Sequence, residues 1–182
     1  MHHLTSAAVL ATALCLLGCA SPTPALDDSN SWTVGLRINA DPGNYHEFFS
    51  EVRPPAGGTD TTVVRIKFKK VQPSDKWAPT TLVCLQGSDP DKDRTCLQLA
   101  ATIDDAVILN RWDRTGGEAN RGVPQRLTQK YRLIDELIVQ VEATSTTSRF
   151  LINGESIFES STLNPIRLVL SCSSALCNFD MR

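Results

Sequence analysis

The chain has 182 residues, a net charge of −2 and 41% hydrophobic residues, enough apolar material for one core of ordinary size. Its charges form no long acidic or basic run, so the sequence gives no electrostatic basis for binding nucleic acid. One globular domain is therefore expected.

The N-terminal part of the chain is typical of a secretory signal. Ala7–Leu17 is apolar except for one threonine, and its eleven residues fit a signal core of ~7–15 residues. They fall short of the ~20 residues that a membrane-spanning helix needs. His2 and His3 precede the run, where Lys or Arg is usual. We predict a signal peptide over residues 1–18; the alternative is a buried strand or helix, which the two following prolines disfavour.

Leu16-Leu17-Gly18-Cys19 resembles the lipobox of bacterial lipoproteins. The resemblance implies cleavage after Gly18, a diacylglyceryl group on the Cys19 thiol and an acyl chain such as palmitate on the new amine, together a stable membrane anchor. Ala20 stands where an Asp would favour the inner membrane, which implies the outer membrane, facing either the periplasm or the cell surface. We predict a lipidated tether over residues 19–30 and a single domain over residues 31–182.

Four cysteines remain after the signal and the lipobox: Cys84, Cys96, Cys172 and Cys177. An even number in an exported domain predicts disulfides, and four cysteines allow three pairings. We favour Cys84–Cys96 and Cys172–Cys177 because each pair is local and flanks a turn. A zinc site is the weaker alternative, because no CxxC is present and His46 is the one histidine of the mature chain.

The domain alternates apolar and polar residues with the period of two that is typical of strands. Asp41–Asn44 is a strong turn signal because Pro fixes φ and Gly supplies positive φ, and Asn153-Gly154 is the strongest hairpin signal. Asp113–Pro124 is predicted to be a long polar loop. The predicted strands are Ser31–Ile38, Tyr45–Val52, Thr61–Val71, Thr80–Leu85, Thr95–Ala101, Val107–Trp112, Tyr131–Leu133, Leu137–Val141, Arg149–Asn153, Ser156–Phe158, Ile166–Leu170 and Asn178–Arg182. No segment has helical periodicity, so the sequence predicts an all-β, antiparallel β-sandwich.

The order of features from Tyr131 to Met181 resembles the closing half of concanavalin A-like (laminin G-like) jelly-roll domains. The matching segments are Leu137–Val141, Phe150–Gly154, Pro165–Leu170 and Asn178–Met181, and Ser31–Ile38 fits the opening strand. The resemblance implies the jelly-roll fold. It does not imply one function, because members of the family include glycosidases, sugar-binding or protein-binding domains and structural domains.

A glycosidase of this type needs two facing carboxylates, which laminarinase-like members carry as Glu-x-Asp-x-x-Glu on one strand. Asp135-Glu136 with Glu142 is the nearest run here, and its spacing does not fit. No catalytic residue is predicted.

Four aromatic residues are candidates for stacking on a sugar ring: Trp77, Trp112, Tyr45 and Tyr131. Arg111 and Arg114 flank Trp112, and this mixture of aromatic and polar groups suits a carbohydrate. The alternative for each tryptophan is packing between the sheets, and Trp32 is assigned to the core.

Two charged runs have a functional and a plain interpretation. Arg65, Lys67 and Lys69 alternate along one predicted strand. The functional interpretation is a patch that binds an anion. The alternative is a solvated strand face, or an edge strand that its lysines protect from pairing with another chain.

Asp89, Asp91 and Asp93 resemble the start of a Ca²⁺ loop, although Arg94 and Ala100 stand where Gly and Glu are usual. The alternative is a solvated hairpin tip, and no other cofactor is predicted.

Together these features predict a non-enzymatic envelope lipoprotein that is anchored in the membrane and binds a glycan or a protein. A divergent carbohydrate-active hydrolase and a purely structural lipoprotein are the alternatives.

Overall fold

Ten antiparallel strands make up a computed structural model that describes residues 32–72, 74–89, 93–115, 125–161 and 165–182, with the backbone alone at 114 and 115. The described residues contain no helix, and no helix among them could span a membrane. The strands are β1 (Val34–Glu51), β2 (Asp60–Val71), β3 (Thr80–Gln86), β4 (Asp93–Ala101), β5 (Ala106–Thr115), β6 (Gln125–Arg132), β7 (Leu137–Ala143), β8 (Ser148–Ile152), β9 (Glu155–Ser160) and β10 (Arg167–Met181).

The strands follow one hydrogen-bonded order, β6-β5-β4-β3-β10-β2-β7-β8-β9, and β1 pairs along the whole of β10. The first half of β10 pairs with β3 and its second half with β2. β1 and β10 therefore contribute one half to each of two layers. The front layer contains β3–β6, and the back layer contains β2 and β7–β9. This all-β sandwich is the predicted fold class.

The two long strands bend together where they pass from one layer to the other. The register of β1 shifts between Ala40 and Tyr45, and Gly43 has φ 77°. On β10, Ser174 has φ 45°, and its Oγ accepts a hydrogen bond from Gly43 N at 3.0 Å. The turn residues Asp41–Asn44 thus bend one strand without ending it.

This continuity corrects two predictions. The first two predicted strands are halves of β1, and the last two are halves of β10. A turn signal ends a strand only if the segment after the turn no longer pairs with the same neighbouring strand. Here the segments before and after the turn both pair with β10.

One apolar core fills the space between the layers, because the inward residues of both layers alternate with outward polar ones. The large side chains that are fully buried in it include Ile66, Leu97, Leu99, Leu109, Phe150, Ile152, Leu170 and Phe179. Burying each of these contributes about 1.5–3 kcal/mol relative to exposure.

Both favoured disulfides are present. Cys172–Cys177 spans the bend of β10 inside the core. Cys84–Cys96 joins directly opposite positions of β3 and β4.

The hairpin prediction at Asn153-Gly154 is confirmed, with φ 51° and 83°. The brief strand Tyr131–Leu133 is instead the end of the longer β6, which ends at Arg132. The predicted loop Asp113–Pro124 begins inside β5, and residues 116–124 lie outside the described part.

The assignment of Trp32 to the core is wrong, because its side chain is only partly buried. The guanidinium groups of Arg65 and Arg182 lie 4.5 and 5.0 Å from its ring. The edge-strand interpretation of Arg65–Lys69 holds for part of the segment: β2 pairs with β7 only as far as Ile66, and Lys67–Val71 pairs with β10 alone.

Residues 31–182 form one compact unit. The predicted signal peptide, Cys19 and the tether lie outside the described residues.

Candidate ligand-binding face

The outer face of the front layer, turned away from the core, brings together polar and aromatic side chains from six strands. Residues directly opposite each other on antiparallel strands share a face, so the register defines it. We call it the disulfide face; its described residues include Tyr45, Glu47, Phe49, Glu51, Leu82, Cys84, Arg94, Cys96, Gln98, Asn110, Trp112, Arg126, Arg167, Val169, Ser171 and Ser173.

The middle of this face is an apolar floor. Cys84, Cys96 and Val169 are fully buried although they point away from the main core. Leu82 and Trp112 pack against them and are partly buried. The disulfide thus supports Trp112 from below.

An ion pair between Arg94 and Glu47 crosses this floor. Arg94 lies on β4 and Glu47 on β1, with β3 and β10 between them. Three strand spacings amount to about 14 Å in a flat sheet, yet Arg94 Nη2 donates to Glu47 Oε1 at 2.9 Å. The two side chains therefore extend across the intervening strands. They are 10% and 20% exposed.

Tyr45 adds a second donor to the same carboxylate oxygen, since its Oη donates to Glu47 Oε1. Burial, and after it the hydrogen bond to Glu47, raises the pKa of Tyr45 from its ordinary value to about 12. The phenol therefore stays protonated at physiological pH. Arg94 Nε is buried and has no partner among the described residues.

Tyr45 and Trp77 form an exposed aromatic pair at one end of the face. Their ring centroids are 6.3 Å apart at an interplanar angle of 36°, and the residues are 39% and 48% exposed. Ser174 Oγ holds the Trp77 segment by donating to Trp77 O at 2.6 Å. Ser173 Oγ donates to Ala78 O at 2.8 Å.

Amide groups lie on the β4–β5 side of the face. Asn110 Nδ2 donates to Gln98 Oε1 at 3.1 Å, which fixes both side chains. Arg126 lies opposite Asn110 on β6 and is exposed. Near the far end, the Arg167 guanidinium lies 5.9 Å from the Phe49 ring.

The structure separates the predicted cluster around Trp112. Arg111 points between the layers, where its Nε donates to Asp113 Oδ2 at 2.7 Å and its guanidinium lies 5.1 Å from the Phe158 ring. Adjacent strand residues point to opposite faces, so Arg111 cannot join Trp112. Arg114 pairs with Arg94 in the backbone register, which puts its position on the disulfide face; its side chain lies outside the described part.

Sequence reasoning missed Glu47, Arg94, Gln98 and Asn110 as a group. Alternation does place Tyr45 and Glu47 on one face. The contact of Glu47 with Arg94 depends on a register between residues 47 positions apart, for which the sequence holds no local signal.

The calcium prediction falls partly outside the described residues, because Asp91 lies there. Asp93 N donates to Asp89 O at 2.9 Å, so the backbone at these two residues closes the hairpin. In the described part of the chain, no three His, Cys, Asp or Glu residues are grouped to hold a metal ion. Calcium binding stays a prediction.

A scan against protein-family models and a search of curated proteins find no match. Solved structures do match. One, described under endo-acting O-glycanases of the human gut microbiota, is 12% identical with a TM-score of 0.55 and covers 81% of this chain and 76% of its own.

Two further structures are similar. An apo Crh5 transglycosylase is 11% identical, with a TM-score of 0.51 and coverage of 81% of this chain and 70% of its own. A tetrameric galectin from the ball sponge Cinachyrella is 13% identical, with a TM-score of 0.50 and coverage of 75% and 98%. These similarities show that the chain shares the jelly-roll-like β-sandwich fold.

Proposed function

We propose that this protein is a lipid-anchored, extracytoplasmic domain that binds a glycan on the disulfide face. The observation that carries the proposal is the exposed Tyr45–Trp77 pair beside the Glu47–Arg94 ion pair. Aromatic faces stack on the apolar faces of sugar rings, and fixed polar groups beside them orient the hydroxyls.

The polar groups of this face suit hydroxyl recognition. Gln98 and Asn110 are oriented by their mutual hydrogen bond, and each amide keeps further donors and acceptors for a ligand. Arg94 and Tyr45 hold the Glu47 carboxylate in place. A ligand that binds there meets groups that are already ordered, which lowers the entropic cost of binding.

The carboxylates favour binding over hydrolysis. In the described part of the disulfide face they are Glu47 and Glu51, four residues apart on one strand, which corresponds to about 13 Å. Glycosidases place the two carboxylates about 5–9.5 Å apart.

The acidic run Asp135-Glu136 with Glu142 lies elsewhere in the structure. Asp135 pairs with Arg132 at 2.9 Å, and Glu142 pairs with Arg149 at 3.6 Å, both away from the disulfide face. The three similar structures share a fold that carries many functions, so the proposal rests on the residues of this chain.

The location is part of the proposal. The lipobox resemblance at Cys19 supports a membrane anchor, and two disulfides suit an oxidising compartment.

A glycan array probed with the full chain tests the function. We expect binding to one group of related glycans, with the signal lost in Tyr45→Ala and weakened in Trp112→Ala. Release of sugar from the bound glycans, abolished by Glu47→Gln, would instead establish a hydrolase. An array without any binding would contradict the proposal and leave a protein partner or a structural role.

A further inference from the structure

The outer face of the back layer carries lysines that have no ion pair among the described residues. Lys67 points outward from β2, opposite Asn178. The register then shifts between Leu176 and Cys177, which leaves Lys69 as an extra residue on β2. This bulge exposes both Lys69 and Lys70.

An apolar turn lies beside these lysines. Ile134, in the turn between β6 and β7, is 70% exposed. Together with Leu133 and the segment Lys67–Val71 it lines an open cleft of about 420 Å³. Ile134 is thus continuous with the apolar side chains of Leu133 and Val71 in this cleft, and a contiguous exposed apolar patch marks a site of contact with a partner or a membrane.

The acidic residues of the same turn are partly neutralised. Asp135 pairs with Arg132 at 2.9 Å, while Arg65 pairs with Asp180 at 2.8 Å and approaches Glu136 only to 3.8 Å. Lys67, Lys69 and Lys70 outnumber the Glu136 carboxylate, so the net charge beside Ile134 is positive.

A second apolar turn adjoins the first. Ile103, between β4 and β5, is 97% exposed and lines a neighbouring cleft of about 350 Å³ that shares Val71 and Leu133. Leu133 N donates to Asp105 O at 2.7 Å and ties the two turns together. Asp104 and Asp105 also lie on this turn, so the positive charge is confined to the Ile134 side.

We propose that this end of the sandwich docks on a bilayer surface that contains anionic phospholipid. Lys67, Lys69 and Lys70 would contact the headgroups, while Ile134 enters the interface. Ile103, followed by the exposed carboxylates of Asp104 and Asp105, would stay at the edge of the contact. A cation near an anionic surface strengthens membrane binding about fivefold, and buried apolar side chains add to it. A single protruding turn tip fits between headgroups, whereas a protein partner of matching shape would need a broader apolar surface. This contact is separate from the glycan face and from the lipid anchor.

Hydrogen exchange of the full chain on vesicles tests the proposal. One vesicle population is phosphatidylcholine alone, and the other contains about one third phosphatidylglycerol. Attachment through the apolar N-terminal segment does not require headgroup charge, so the difference between the populations reports the docking surface.

We expect the amides of residues 133–136 to be protected on the anionic vesicles and not on the neutral ones, with the protection lost at high salt. Lys67→Gln/Lys69→Gln/Lys70→Gln should weaken the anionic preference about a hundredfold, following the fivefold effect of each cation. Ile134→Ser should weaken it several-fold.

Two matched variants serve as controls. Arg126→Gln/Lys130→Gln removes exposed cations from β6, and Ile166→Ser removes a 41% exposed apolar side chain from another surface. Both should keep the wild-type preference. Equal protection on both vesicle types, or equal losses in test and control variants, would overturn the proposal. So would competition by a soluble anionic polysaccharide as effective as anionic vesicles, because the surface would then bind polyanions in general.

Discussion

Arg94 and Glu47 lie on strands separated by two others, and their side chains still meet at 2.9 Å. The pair crosses a floor formed by the Cys84–Cys96 disulfide and Val169. Tyr45 donates to the same carboxylate. A charged pair that is largely buried on an outer face fixes the positions of polar groups that would otherwise be mobile. It is the reason why we place the binding site on this face.

Glu47→Gln should lower the free energy of unfolding by about 1.5–3 kcal/mol, because it leaves the buried Arg94 guanidinium without its anionic partner. Glu51→Gln is the matched control on the same strand. Glu51 pairs with Arg53, and their side chains are 72% and 82% exposed, so its loss should cost about 0–1 kcal/mol. Urea unfolding measures both free energies of unfolding. Equal losses in the two variants would show that the Glu47–Arg94 pair stabilises the fold no more than an exposed ion pair does.

Tyr45 should make stability fall at high pH. Its pKa is raised to about 12 in the folded chain, from 10.0 for an ordinary tyrosine. Below pH 10 the phenol of Tyr45 is protonated in both the folded and the unfolded chain, so its full contribution to the free energy of unfolding is present. Between about pH 10 and 12 the unfolded chain loses the proton first, so stability decreases. The Tyr45→Phe variant should lack this part of the decrease.

A spectroscopic titration isolates Tyr45. The chain has two tyrosines, so Tyr131→Phe leaves Tyr45 as the one phenol. Its ultraviolet phenolate absorbance should have a midpoint at about pH 12, and a midpoint near 10 would mean that the Tyr45 hydroxyl is solvated.

Local patterns predicted the strands and the disulfides well. Alternation located most strands, and Asn153-Gly154 located its hairpin because its backbone requirement is local. The bends at Asp41–Asn44 and Ser174 were beyond such patterns, because strand continuity there depends on the pairing of β1 with β10.

The site was less predictable than the fold. Trp112 is predicted as a sugar-stacking residue beside Arg111, and strand alternation alone could have excluded Arg111 as its neighbour on one face. Trp32 was assigned to the core from its apolar character, whereas two arginines stack on it. Cation–π contacts of this kind stabilise a half-exposed tryptophan without burying it.

Removal of the surface disulfide should affect both stability and binding. Cys84→Ala/Cys96→Ala opens a loop of sequence separation 12, which should cost about 3 kcal/mol. It should also weaken glycan binding, because Trp112 packs on this disulfide. Cys172→Ala/Cys177→Ala lowers stability as well, but the folded fraction should lose less affinity, since that disulfide lies in the main core and does not pack against Trp112. Unchanged glycan affinity in both double variants would show that the Cys84–Cys96 disulfide does not contribute to the binding site.

Cys19 should carry the lipid. In a bacterium that processes lipoproteins, labelled palmitate should enter the wild-type chain and the Cys15→Ser variant equally. Cys19→Ser should incorporate none and should keep its N-terminal segment. Label in Cys19→Ser would contradict the lipobox prediction.

The central claim is that glycans bind on the disulfide face beside the Tyr45–Trp77 pair. The most direct measurement is titration calorimetry of the glycan selected on the array, comparing Trp77→Ala with Trp32→Ala. Trp32 is the matched control because it is a partly buried tryptophan of the back layer. We predict about a tenfold rise in Kd for Trp77→Ala, which corresponds to the loss of one aromatic stacking contact of ~1.4 kcal/mol, and no change for Trp32→Ala. An unchanged Kd for Trp77→Ala, or an equal rise in both variants, would contradict the claim.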